Sequence, residues 1–179
     1  DLTPTVFYAG RPSQARPFRN NLSRIVTNQT LPENFRRPIP LPPEARCPAH
    51  GAILQADAAE PPLEGAVSGA CGCAFPIRLG IPRFVPDGGY ASAFGLQWNA
   101  FRRTQLDSFS GTRISRDRLT RCLGGSLEPL RGASILEVGC GAGRFTEILL
   151  EAGARVFASD LSNAVEANRA NCGDHPGYF

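Results

Sequence analysis

The apolar positions change their period twice beyond residue 134. Ser134-Ile135-Leu136-Glu137-Val138 is a short β-prone run that leads directly into Gly139-Cys140-Gly141-Ala142-Gly143. Phe145, Ile148, Leu149 and Ala152 then recur at i, i+3, i+4 and i+7, the spacing of an amphipathic helix. Gly153 is placed to follow the end of that helix. Arg155-Val156-Phe157-Ala158-Ser159 predicts a second strand ending on Asp160. Ser162 or Asn163 can cap a further helix running through Val165, Ala167 and Asn168. The order β-α-β-α opens a doubly wound α/β sheet.

Upstream the pattern divides into three stretches. Residues 89–133 read as helical: Phe94, Trp98 and Phe101 form one apolar stripe, and Ser115 is a candidate N-cap. Leu119, Cys122 and Leu123 share a face of the helix so started, and Gly124-Gly125 would end it. Residues 46–88 are rich in Phe, Ile, Gly and Pro, and predict short strands and turns. Residues 1–45 form an extended leader of Arg, Asn and Pro, closing on Pro38-Ile39-Pro40-Leu41-Pro42-Pro43. Proline at that density blocks both helix and ladder, so the leader is read as a tether or surface wrap.

Composition narrows the class. Of 179 residues, 42% are apolar and 20% charged, enough for a folded core. The net charge of +3 does not imply a nucleic-acid partner. No apolar run approaches the roughly 18 residues of a membrane helix. All 19 basic residues are arginine, and methionine is absent, which predicts a chain lacking its translated start. The triplets Asn21-Leu22-Ser23 and Asn28-Gln29-Thr30 are chance glycosylation sequons. The six cysteines are scattered, unlike a secreted disulfide framework, so a cytoplasmic protein with thiols or metal ligands is expected.

The glycine loop carries the clearest chemistry. Glycines let a ligand approach the backbone, and a following helix start presents N–H groups to it. Asp160, about twenty residues on, can accept hydrogen bonds from ribose hydroxyls, which points to a nucleoside-containing cofactor. A nicotinamide dinucleotide is disfavoured, because the third glycine of G-x-G-x-x-G is Arg144 here. A P-loop is excluded, because the chain has no lysine.

Leu136-Glu137-Val138-Gly139-Cys140-Gly141-Ala142-Gly143, with Asp160, resembles motif I and its follower in class I S-adenosylmethionine-dependent methyltransferases of the type 11/12 kind. The resemblance implies a Rossmann-like sheet of which residues 134–179 form the first part. It implies that Gly139, Cys140 and Gly141, in a loop ending on Gly143, flank the methionine end of the cofactor. Glu137 would orient the loop and the amino group, Asp160 would hold the ribose, and Leu161 would pack on the adenine. Phe94-Gly95-Leu96-Gln97-Trp98 and Gln105-Leu106-Asp107-Ser108 resemble the helical lead-in of a bacterial group in this family, making Phe94, Gln97 and Trp98 lid candidates. Core packing on the sheet is an equal reading for Phe94 and Trp98.

That group often carries a zinc-ribbon-like knuckle in front, and residues 46–88 suit one. Cys47-Pro48-Ala49-His50-Gly51 has the spacing of half a zinc site. The other half is irregular: Ser68 stands where a cysteine would, leaving Cys71 and Cys73 as a C-x-C pair. Cys47, His50, Cys71 and Cys73 are thus either a structural zinc set or the remnant of one. Cys122, Cys140 and Cys172 read as structural.

The expected activity is methyl transfer from S-adenosylmethionine to an acceptor the sequence does not identify. The general base and acceptor loops of this fold lie on later strands, so the chain is expected to be a C-terminally truncated fragment, inactive alone and exposing an edge at strand 134–138. The alternative is a non-catalytic binding module with a degenerate cofactor site.

Overall fold

The computed structural model describes residues 35, 39–56, 63–86 and 91–179. The sequons, most of the leader and the Pro61-Pro62 loop lie outside them.

The first sheet is an antiparallel meander in the order β1-β2-β3-β4, formed by Leu54–Ala56, Glu64–Gly69, Ala74–Arg78 and Ile81–Pro82. Period-2 alternation decides its inward face: Leu54, Val67 and Ile77 are buried. Leu79 and Gly80 close the β3–β4 hairpin with φ of 51° and 68°. Two successive left-handed residues match the twist of the flanking strands. The Phe75 and Phe84 rings pack at 5.1 Å between centroids.

Three helices and a 3-10 turn follow: α1 Ser92–Ala100, α2 Asp107–Ser110, α3 Ile114–Cys122 and the turn Glu128–Leu130. The helical reading of this stretch holds, but two of its details change. Ser115 is not the cap of α3, which begins one residue earlier, at Ile114. The cap comes from α2: the Asp107 carboxylate accepts from the Ser115 and Arg116 N–H groups at 3.1 and 2.9 Å. The buried face of α3 also differs from the expected one. Ser115 is buried and Leu119 half-buried, whereas Cys122 and Leu123 are exposed.

The aromatic stripe of α1 is not core either. Phe94 is 47% and Phe101 60% exposed, and the buried residue is Gly95. A Cβ at Gly95 would stand 3.0 Å from the Asn163 nitrogen, so glycine lets α1 approach the start of α5. The Asn99 side-chain amide donates to the Asn163 carbonyl at 2.8 Å and fastens the contact.

The remainder is β5 Ser134–Val138, α4 Thr146–Glu151, β6 Arg155–Ser159 and α5 Ala164–Cys172. β5 and β6 pair in parallel, Ser134 opposite Arg155 through Val138 opposite Ser159. Gly153 follows the last turn of α4 with φ 87°, as expected. Asn163 takes the cap position of α5, and the Ser162 hydroxyl accepts from the Ala164 N–H at 3.1 Å. Tyr178 bridges to Val156 on the far side of β6. Leu130, Leu149, Leu150, Ala154, Val156, Cys172 and Tyr178 form the core of this mixed α/β unit. Among the described residues β5 pairs only with β6, and Leu136 and Val138 are exposed.

The meander rests on α5. Arg83 and Glu166 form an ion pair at 2.6 Å, and the fully buried Arg169 donates to the Gly80 carbonyl at 2.9 Å. A Cβ at Gly80 would lie 2.7 Å from the Arg169 guanidinium, so with its φ of 68° glycine suits the hairpin tip and any side chain there would displace Arg169. No described helix is long and apolar enough to cross a membrane.

Candidate functional site

A cavity of about 340 Å³ opens where β5 and β6 end, within the size range of small-molecule sites. Five of the seven expected cofactor residues line it: Glu137, Gly139, Cys140, Gly141 and Asp160. Gly143 and Leu161 do not. Gly143, at φ 103°, is needed for packing, since a Cβ there would meet the Cys172 sulfur at 3.0 Å. Leu161 is 60% exposed. Of the lid candidates, Phe94 and Trp98 line the cavity and Gln97 does not.

Parallel pairing sets the floor. Strands in register end together, so Glu137 on β5 and Asp160 just beyond β6 reach the same opening. The loop between them is held by its own amides. Gly139 and Cys140 N–H groups donate to the Ser159 carbonyl at 2.8 and 3.0 Å, and the Gly141 N–H donates to Asp160 Oδ2 at 2.9 Å. Asp160 Oδ1 accepts from the Ser162 N–H and hydroxyl at 2.8 and 2.7 Å. A carboxylate offers about four lone-pair sites, so Asp160 keeps acceptor capacity toward the cavity.

Glu137 sits in a relay. Its carboxylate accepts from the Thr146 hydroxyl at 2.6 Å, and Thr146 accepts in turn from the Asn168 amide at 2.8 Å. Burial pushes the Glu137 carboxyl above its ordinary value, and the Thr146 hydrogen bond only partly offsets this. A buried carboxylate short of counter-charge is suited to a cationic ligand group. Cys140 has its thiol pushed far up by burial and by the charges of Glu137 and Asp160. It therefore has no thiolate to act as a nucleophile, in line with its structural reading.

Sequence reasoning missed several members of the site. Gln105, Arg144, Phe145 and Ser162 also line the cavity. Asn171 donates from its amide to the Ala142 and Arg102 carbonyls, each at 2.8 Å, tying the glycine loop to the segment after α1. Asn168 and Asn171 lie three apart on α5, a spacing that places both on one helix face. Gln105 has no local signal, because only the return of the chain past α1 brings it there.

A second cluster forms at the meander's end. The ligand atoms of Cys47, His50, Cys71 and Cys73 all lie within 4.8 Å of one another. Tetrahedral zinc with thiolate and imidazole ligands requires ligand–ligand separations of roughly 3.5–3.8 Å, so a small contraction suffices. Gly51 and Gly72, at φ 68° and 79°, make the tight turns that aim both pairs inward. The C-x-C pair works because Gly72 lies at the bend of the β2–β3 hairpin. His50 Nδ1 approaches the Cys73 sulfur at 3.3 Å and the Cys47 sulfur at 3.8 Å. Burial raises the Cys47 thiol, but hydrogen bonds from His50 and from the Ala49 and His50 backbone outweigh it and bring it down to about 7. Cys73 goes the other way, to about 11, chiefly through Cys47.

Glu137, the glycine loop and Asp160 thus meet around one cavity on consecutive β-α-β-α elements. Residues 136–177 match the family model of the methyltransferase domain. The methyltransferase match takes in the glycine loop, α4, β6, Asp160 and α5. No curated protein and no solved structure matches the chain.

Proposed function

We propose that the protein binds S-adenosylmethionine in the 340 Å³ cavity and transfers its methyl group to an acceptor. The observation that carries this reading is the convergence of Glu137, the glycine loop and Asp160 on one cavity within the stretch matching the methyltransferase family. Residues 134–179 are read as the opening of a Rossmann-like doubly wound sheet. Residues 89–133 are its lead-in and lid, residues 46–88 a zinc-ribbon-like unit, and residues 1–45 the leader.

When bound, S-adenosylmethionine supplies an already activated methyl group, so the protein's task is to bind, align and exclude water. Glu137 would hold the ammonium group of the methionine end, and Asp160 would accept from the ribose hydroxyls. The Gly139–Gly141 backbone gives the close approach that a side chain would block. Phe94 and Trp98 close the cavity from the α1 side. Cys47, His50, Cys71 and Cys73 hold a zinc ion in a structural role, because four protein ligands leave no open position for chemistry.

Isothermal titration with S-adenosylhomocysteine tests the reading. Binding in the micromolar range is expected, and silence at millimolar ligand would instead favour a non-catalytic module. Labelled S-adenosylmethionine offered with candidate acceptors then identifies what is methylated.

A further inference from the structure

Arg144 is the residue that breaks the dinucleotide fingerprint, and among the described residues it is the one cation lining the cavity. Its guanidinium is anchored from behind: Nε donates to the Ser115 hydroxyl at 3.0 Å. Ser115 is itself buried, and its N–H is held by Asp107 at 3.1 Å. The Phe145 ring lies 5.3 Å from the guanidinium carbon. Among the described residues no hydrogen bond or ion pair engages the two terminal nitrogens; the Asp107 carboxylate feels the Arg144 charge from the lead-in side, away from Glu137 and Asp160. The paired N–H donors of a guanidinium edge match a carboxylate in bidentate fashion.

The charges that the described residues bring to the cavity are therefore two carboxylates and one guanidinium. The methionine end of S-adenosylmethionine carries a sulfonium, an ammonium and one carboxylate. The two anionic side chains answer its cationic part and its ribose, which leaves one anion on the ligand and one cation on the protein. Resting on the cofactor reading above, we propose that Arg144 receives the α-carboxylate of the cofactor through its Nη1 and Nη2 edge. Ser115 and Asp107 on the lead-in helices are then positioning residues for the guanidinium. This gives the α2–α3 segment a role in cofactor recognition.

Trp98 is the chain's single tryptophan and lines the cavity, so its fluorescence reports binding in the full chain. The probes are S-adenosylhomocysteine and 5′-methylthioadenosine, which keeps the nucleoside and thioether but lacks the amino acid end. For Arg144→Gln, affinity for S-adenosylhomocysteine is expected to fall about ten- to a hundredfold. Affinity for 5′-methylthioadenosine should stay within about twofold, and Arg144→Lys should recover part of the loss, as a point charge without the bidentate fork. Unchanged binding of S-adenosylhomocysteine by Arg144→Gln would overturn the proposal. So would equal weakening of both probes, including loss of both through misfolding, since that marks Arg144 as structural only. If the unaltered chain binds neither probe, the cofactor reading itself fails, which is a separate result.

Discussion

Glu137 carries opposing demands. It is drawn out of water at the end of β5, and burial raises its carboxyl above the ordinary range. An acid whose folded value is raised contributes stability that is fully present below its unfolded value, near 4.5, and lost as pH rises through the folded one. At neutral pH the ionised group is therefore a cost to the fold. Glu137→Gln is expected to raise the melting temperature at neutral pH and to abolish that pH-dependent loss. The same variant should weaken S-adenosylhomocysteine binding about tenfold or more. Thermal melts from pH 4 to 8 alongside titrations check both. A fall in stability at neutral pH would show that the Thr146 hydrogen bond outweighs the burial cost. Glu137 was legible in the sequence because its type and its place before the glycines are local facts. The Thr146–Asn168 relay behind it was not, since Asn168 arrives from a helix after the next strand.

At the level of elements, α3 shows how a correct helix can be wrongly capped on paper. Ser115 has the right chemistry for an N-cap, yet it lies inside the helix with its hydroxyl accepting from Arg144. Asp107, eight residues earlier, supplies the cap because α2 turns back at Gly111, at φ 68°. The Ser115 and Arg116 N–H groups hold the Asp107 carboxyl below the ordinary carboxylate range despite its burial. An acid so lowered contributes stability present above its unfolded value and lost as pH falls through the folded one. Asp107→Ala is expected to cost about 1–2 kcal/mol in chemical denaturation near neutral pH. That difference should shrink below pH 4. A cost that persisted unchanged in acid would remove the capping role. α5 has the opposite history: its apolar periodicity was plain, but its polar residues proved the more informative. Glu166 and Arg169 meet the meander, Asn168 and Asn171 hold the glycine loop, and Asn163 receives α1.

The whole molecule brings the meander and the glycine loop to bear on the same helix, α5. The meander's core holds few large side chains, chiefly Leu54, Val67 and Ile77, and a unit so small would gain much of its stability from a bound metal. All six cysteines are free thiols. Elemental analysis is expected to find about one zinc ion per chain, held by the four ligands. Chelation should lower the melting temperature and speed hydrogen exchange in residues 54–82 before residues 134–172, since the Arg83–Glu166 and Arg169–Gly80 contacts follow the meander. A metal-free chain with an unaltered melt would show that the cluster is a remnant and the thiols pack without an ion.

The sequence by itself determined whatever a few neighbouring residues can specify. That includes the β-α-β-α order, the glycine loop with its flanking acids, and the Cys47–His50 and Cys71–Cys73 pairs. Backbone periodicity and turn chemistry act over one or two turns of chain, so they are written locally. Tertiary structure alone decided which side chains meet: Arg144 with Ser115, Asn171 with both Ala142 and Arg102, the hairpin tip with Arg169. These contacts depend on how the elements pack against one another. One glycine, Gly95, opens α1 to α5, and no period or motif in the chain announces it.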